Sequence, residues 1–450
     1  MPTDLSDRTN DPDQQRLSPP AKRAVKGACF GFFVDYFDIY LPVVALTPAI
    51  AYFQAQHTPA SVAATLSYVT LALTLIGRPV GAIIFGRIAD ITGRRRATLI
   101  AVAGAGACTL LMGLLPGYAT IGWLSIILVL LLRFVGGVFM GGEYSSANPL
   151  AMEASPKRLR GLVGGMIAAS YPLGYIAISV VVAITFQFAP AGSPDSPYVQ
   201  WGWRIPFFVG AALSAWFLLY YRKVEESAAF KRVQRAEKPK SPLRQLLTGE
   251  HRRKLLQVLL LMTGMWFTVQ ATLSATPALL SAVIGLPSTE VNTGLLVANV
   301  FVAAGYLVMA QLGQRFGRRR MLVLSGIWTV LLAPIAFVAM VREAIGAAAG
   351  DGSTLLVMVY ATAALVLTVS PWGIVSTYII ERFATGVRAS GYGIGYSLAV
   401  IIPGFYAFYM LGLARLMPYE YTPIVLIVVG GVLAAIGALL GPETRDADLD

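Results

Sequence analysis

Asp35 and Asp38 lie three residues apart inside a long apolar run, so a helix there turns both carboxyls to one face. The rise of such a helix puts them ~13–18 Å above its charged end, near the middle of a bilayer. A carboxylate at that depth is costly unless it is paired or protonated, and it is functional by default. Two on one face suit a device that loads a proton from one side and releases it to the other. Arg133 stands near the middle of another apolar run, with Gly137 one turn later to let a neighbouring helix come close. Arg78 and Glu143 carry opposite charge at similar depth, and a structural ion pair between them is expected.

The later part of the chain has few charges at membrane depth. It offers Trp266, Gln270 and Thr272, then Asn292 and Asn299, then Trp372, Ser376, Tyr378, Tyr392 and Tyr396. Aromatic and amide groups suit the uncharged part of a small ligand. Trp266, Gln270, Trp372, Tyr392 and Tyr396 are the expected substrate contacts, joined by Arg133. Charge is then handled early in the chain and shape late. No nucleotide loop, metal-ligand spacing or nucleophile–base set appears, so neither catalysis nor a cofactor or metal is expected. Cys29 and Cys108 fall in apolar runs and read as buried thiols. His57 and His251 fall in loops or at a helix edge and read as solvated.

Membrane helices must position these groups. The 450 residues are 56% hydrophobic and only 13% charged, with mean hydropathy +0.67. A soluble chain carries about 25% charged residues. A hydrocarbon core of ~30 Å needs about 20 apolar residues per helix. Twelve such runs fit: 25–52, 60–86, 97–115, 120–149, 161–188, 204–221, 254–283, 292–312, 320–341, 354–380, 388–412 and 420–440. Lys and Arg collect in alternate loops, which by the positive-inside rule makes both termini cytoplasmic in a cell (plasma or inner) membrane. The net charge of +12 therefore records topology and not a nucleic-acid partner. Residues 1–22 read as a disordered tail with no signal peptide, 222–253 as a linker, and 442–450 as a second tail. Between them lie two six-helix halves, 23–221 and 254–441.

The halves repeat one another. The run Gly86 to Arg96, with its Gly93-Arg94-Arg95-Arg96 turn, recurs 224 residues on as Ala310 to Arg320. Glu153 followed by Arg160 recurs at an offset of 228 as Glu381 followed by Arg388. Two motifs at nearly one offset indicate a parallel repeat, the architecture of secondary transporters.

These residues resemble the major facilitator superfamily and, within it, the metabolite:proton symporter family. The resemblance spans 24–445 and rests on an ordered set: Asp35-Tyr36-Phe37-Asp38, Arg78-Pro79-Val80-Gly81, Gly86 to Arg96, Arg133-Phe134-Val135-Gly136, and Gly141-Gly142-Glu143. It continues through Gly202 to Phe207, Glu225-Glu226-Ser227, Ser241-Pro242-Leu243, Glu381-Arg382-Phe383, Arg388 to Gly393 and Pro442-Glu443-Thr444. Phe32 stands where that family has Asn, Asp35 where it has Glu, and Gln314 where the first basic turn has Asp90.

The resemblance implies an all-α membrane protein of twelve transmembrane helices in two six-helix pseudo-repeats, importing organic acids, amino-acid derivatives or betaines with protons. The partners implied are a small-molecule substrate, the proton and the bilayer, with the protein a monomer. An antiporter exporting an amphipathic compound is the alternative. It also implies a pair of Arg133 with Asp38 or Asp35, a lock in which protonation frees the guanidinium for an anionic substrate. Asp90, Arg94, Glu153, Arg160, Glu381 and Arg388 would form a breakable network clasping the halves at the cytoplasmic rim.

Overall fold

The computed structural model describes residues 17–55, 60–191, 193–226 and 242–449. His57, the start of the expected tail and residues 227–241 of the expected linker lie outside them.

The first helix begins at Pro19, six residues before the expected 25. Ser18 is its N-cap, its hydroxyl accepting from the N–H of Ala21 at 3.3 Å, and Pro19 and Pro20 fill the first positions. Helix α1 (Pro19–Tyr40) thus absorbs the end of the segment read as a tail. Beyond Tyr40 it loosens into a π-turn, Leu41–Leu46, and a 3₁₀ stretch, Thr47–Phe53. Pro42 and Pro48 sit there and remove N–H donors from the regular ladder.

The remaining helices of the first half are α2 (Ala60–Thr92), α3 (Arg94–Leu114), α4 (Leu124–Glu153), α5 (Lys157–Phe188) and α6 (Arg204–Tyr221). The second half opens with α7 (Gly249–Val269), which loosens just as α1 does, into π-turns Gln270–Ser274 and Leu279–Val283 around Pro277. Helix α8 (Ser288–Phe316) follows, then α9 (Arg318–Leu331, resuming Ala333–Ala349) and α10 (Thr354–Val369, resuming Trp372–Arg382). Helix α9 runs to Ala349 and not 341, because Pro334 restarts it after a break at Leu332. Helix α11 (Arg388–Ser397, resuming Ile401–Gly404 and Tyr406–Leu413) and α12 (Thr422–Leu439) complete it. Eleven segments among the described residues are long and apolar enough to cross a membrane, and α2 lies between the first two, consistent with twelve.

Burial is inverted relative to a soluble protein. Leu131, Trp216, Leu331 and Ile335 face outward, as lipid contacts must, while Asp35, Arg78, Arg133 and Glu143 are buried. The halves meet where α5 packs on α8 and α10, and where α2 and α4 pack on α11.

Each basic turn is set by a glycine in the left-handed region, Gly93 at φ 109° and Gly317 at φ 102°, conformations that strain any residue with a Cβ. The helix that follows has unpaired N–H groups, and an acid from just beyond the last helix of the same half meets them. Glu226 accepts from the N–H of Arg95 at 3.0 Å; Glu443 accepts from those of Arg318 at 2.8 Å and Arg319 at 3.1 Å.

The segment after α12 is docked, in place of the free tail expected. Arg160 donates to the carbonyl of Ala447 at 2.8 Å, and Lys157 pairs with Asp448 at 2.5 Å. Thr444 and Leu449 are buried.

Candidate substrate and proton sites

Asp38 and Arg133 form a buried pair across α1 and α4. Their charged groups are 3.6 Å apart, and the same guanidinium nitrogen donates to the backbone carbonyl of Asp38 at 3.2 Å. Thr109, from α3, donates its hydroxyl to the Asp38 carboxylate, and the Phe207 ring of α6 lies 5.6 Å from the guanidinium carbon. Two further guanidinium nitrogens, Nε and Nη2, are sealed from solvent without an acceptor among the described residues. Every polar and ring contact of Arg133 among the described residues is within the first half. None of these contacts reaches Trp266, Gln270, Trp372, Tyr392 or Tyr396, with which it was expected to hold substrate.

Asp35 turns elsewhere. Its carboxyl shares a hydrogen bond with that of Glu143 on α4, and Arg78 of α2 lies in the electrostatic reach of both. The expected Arg78–Glu143 pair is thus two members of a trio whose third is Asp35. Gly31 makes room for Glu143: a side chain there would run into the Glu143 carboxyl and stand 3.0 Å from the Phe217 ring. Arg78 also lies against the face of Tyr36, 5.9 Å from its centroid, and Tyr36 hydrogen-bonds Tyr396 of the second half. It is Arg78, and not Arg133, that the structure joins to the aromatic group.

That group is compact. Trp266 packs edge-on to Trp372 at 4.7 Å and to Tyr396 at 5.7 Å, and Tyr392 lies 5.6 Å from Tyr396. The indole N–H of Trp266 donates to the carbonyl of Tyr396 at 3.0 Å, so the rings are held at fixed angles. Asn148 of α4 donates to the Tyr392 hydroxyl at 2.8 Å, which in turn donates to Ser376 at 3.2 Å. Gln270 is turned back on its own helix, accepting from Ser274 at 2.7 Å. On the first-half side, Tyr36 and Tyr40 meet Tyr171, the hydroxyls of Tyr40 and Tyr171 lying 2.5 Å apart, and Tyr171 approaches Tyr306 of α8 at 6.4 Å.

The face carrying the basic turns holds the third constellation, built twice. Arg94 pairs with Asp90 and with Glu153, each at 3.4 Å, and donates to the carbonyl of Thr385 at 2.7 Å. Arg388 crosses from the second half to Glu153 at 2.7 Å. Asp90 accepts from the backbone N–H groups of Ala389 at 3.2 Å and Ser390 at 3.0 Å, and from the Ser390 hydroxyl at 2.6 Å. In the repeat, Arg318 pairs with Glu381 at 2.9 Å and donates to Gln314 at 3.1 Å, while Gln314 accepts from the N–H of Gly161 at 3.1 Å. Arg160 adds its Ala447 contact. All six rim residues singled out from sequence gather here. Gln314, Arg318, Thr385 and Ser390 join them; Gln314 and Arg318 were signalled by their places in the second basic run, and Ser390 lies in the run Arg388 to Gly393 of the resemblance. Glu226 and Glu443 stood in motifs of the resemblance without a partner or role being read for them, and Asn148 was not singled out.

Two pseudo-repeated six-helix halves, with ionisable groups buried at mid-helix and a cross-half network at one face, define a multi-pass membrane transporter. The chain belongs to the Major Facilitator Superfamily, whose family model matches residues 28–382; it is a transporter and not an enzyme. It is 31% identical over 399 residues to an inner membrane metabolite transport protein of Escherichia coli, YhjE, covering 86% of this chain and 87% of that one. It is 28% identical to the shikimate transporter of the same organism, covering 97% and 98%, and 27% identical to a proline/betaine transporter of Salmonella typhimurium, covering 85% and 76%. In fold it matches the proton:xylose symporter XylE with a TM-score of 0.77 at 17% identity, over 96% of this chain and 98% of that one.

Proposed function

We propose that this protein imports a small organic acid or zwitterion, a carboxylate, amino-acid derivative or betaine, together with protons by alternating access. The carrying observation is the buried Asp38–Arg133 pair, with Thr109 holding the carboxylate. A proton on Asp38 removes one charge of the pair and leaves Arg133 with the Asp38 carbonyl and the Phe207 ring, so the clasp of α1 on α4 loosens on loading and tightens on unloading. Substrate recognition falls to Arg78 and the ring group of Tyr36, Trp266, Trp372, Tyr392 and Tyr396, which spans both halves. The names of the metabolite, shikimate and proline/betaine relatives support a small organic solute as cargo. The doubled network of Asp90, Arg94, Glu153 and Arg388 with Gln314, Arg318, Glu381 and Arg160 is the gate of the cytoplasmic side, and both termini lie there. One chain suffices.

The test is uptake of labelled shikimate, proline and glycine betaine into proteoliposomes with acid outside or inside. Acid-outside accumulation, lost in Asp38→Asn with exchange partly kept, is expected. Extrusion driven by the same gradient points to an antiporter, and undiminished accumulation in Asp38→Asn removes the coupling role.

A further inference from the structure

The carboxyl groups of Asp35 and Glu143 lie within reach of each other, Glu143 seated over Gly31 one turn of α1 before Asp35, and both residues are buried, at 2% and 3% exposure. Two ionised carboxylates are acceptors only and cannot bond to each other; one of them must carry a hydrogen. Two further observations stand apart from that contact. Oδ2 of Asp35 is sealed from solvent and meets no donor among the described residues. The second is a count of charge. The ionisable groups facing the pair are Tyr36 and Asp38 on α1, Arg78 on α2 and Tyr221 on α6, with Tyr396 of α11 reached through Tyr36. Arg78 is the one cation among them. With a single proton on the pair, the trio is neutral; without it, a net negative charge is left in the bundle interior, which the surroundings do not offset.

We propose that Asp35 and Glu143 form a one-proton dyad, clasped by Arg78, that is a second proton-carrying site distinct from Asp38–Arg133. The trio can cross the occluded state only with the proton in place. Losing it requires water, or a cationic group of the substrate, at the dyad. Because Arg78 also lies on the Tyr36 ring that reaches Tyr396, the dyad's proton sets the field at the aromatic group. The site sits on different side chains from Asp38, and it holds whether or not Asp38 couples transport.

The experiment needs no substrate. Infrared spectra of the purified full-length protein in lipid report protonated carboxyls by their C=O stretch. At neutral pH the wild-type protein should show such a band, disappearing on alkalinisation. The wild-type-minus-variant difference spectrum should show it lost in Glu143→Gln and in Asp35→Asn, kept in Asp35→Glu and kept in Asp38→Asn. Absence of the band in the wild type overturns the dyad, as does its survival in both Glu143→Gln and Asp35→Asn. Its loss in Asp38→Asn, alone or with the others, also overturns it, because the proton then does not belong to Asp35 and Glu143. The wild-type titration stands even where a variant fails to fold.

Discussion

Asp90 of the first half takes the hydroxyl of Ser390 in the second at 2.6 Å, and with it the first free N–H groups of α11. Its counterpart Gln314, besides accepting from Arg318 of its own half, takes one donor across the halves among the described residues, the N–H of Gly161 near the start of α5. The same place in the repeat therefore carries a charge and three cross-half donors on one side, and a neutral amide and one donor on the other. Hydrogen bonds to a charged group contribute about 1.5–3 kcal/mol each, those between neutral groups about 1 kcal/mol.

The gate should open unequally. Asp90→Ala should weaken the closed state by about 2 kcal/mol, roughly a 30-fold change in the closed-to-open ratio, and Gln314→Ala by about 1 kcal/mol. Spin labels at the exposed positions Arg87 and Ala384, with Cys29 and Cys108 replaced by Ser, would report the separation of the halves. Equal shifts for the two variants would contradict the asymmetry.

Arg133→Lys should separate coupling from recognition. Lysine keeps the charge but neither the reach of Nη1, which meets both the carboxylate and the carbonyl of Asp38, nor the flat face lying on Phe207. Proton-driven accumulation should fall while the concentration for half-maximal exchange stays put, since Arg133 touches nothing in the second half among the described residues. The same substitution at Arg78 should instead weaken substrate affinity. If Arg133→Lys weakens affinity and Arg78→Lys does not, the two arginines have been assigned the wrong way round.

The architecture was legible because its signals are local: apolar runs, basic turns and two motifs at nearly one spacing. The rim network was legible for the same reason, since each member is a charge where no charge can enter lipid. What could not be read is which neighbour each buried charge chooses. Depth along the chain put Arg78 with Glu143 and left Asp35 beside Asp38. Azimuth around the helix decides instead, and turns Asp35 toward Glu143 while Asp38 meets Arg133 and Thr109. The docking of the segment after α12 was missed because its contacts, through the Ala447 carbonyl and the Glu443 carboxylate, depend on where the chain folds back, and the run Pro442-Glu443-Thr444 names no partner.

That segment carries a prediction about salt and pH. The Lys157 ammonium beside Asp448 holds its carboxyl below the ordinary carboxylate range. A depressed carboxyl contributes stability that is present above its unfolded value and lost only as pH falls through its lower folded value. The pair should therefore be intact throughout the neutral and mildly acidic range in which transport is measured. It is exposed, so salt screens it. Lys157→Ala should leave the pH profile of uptake unchanged and shift the thermal midpoint only slightly, and that only at low ionic strength.

Glu443 should matter far more than Asp448. It closes the N-terminus of α9 by accepting from two backbone N–H groups that have no other partner in the helix. Losing such a cap costs about 0.5–2 kcal/mol, and a carboxylate also gains from the helix dipole. Glu443→Gln keeps an acceptor but drops the charge, so it should lose less than Glu443→Ala. Glu226 performs the same task for α3, accepting from the N–H of Arg95, so Glu226→Ala should also lower the midpoint. Thermal unfolding of the purified variants in one detergent would order them. A midpoint for Glu443→Ala equal to the wild type's would show that the start of α9 is held by the bundle and not by its cap.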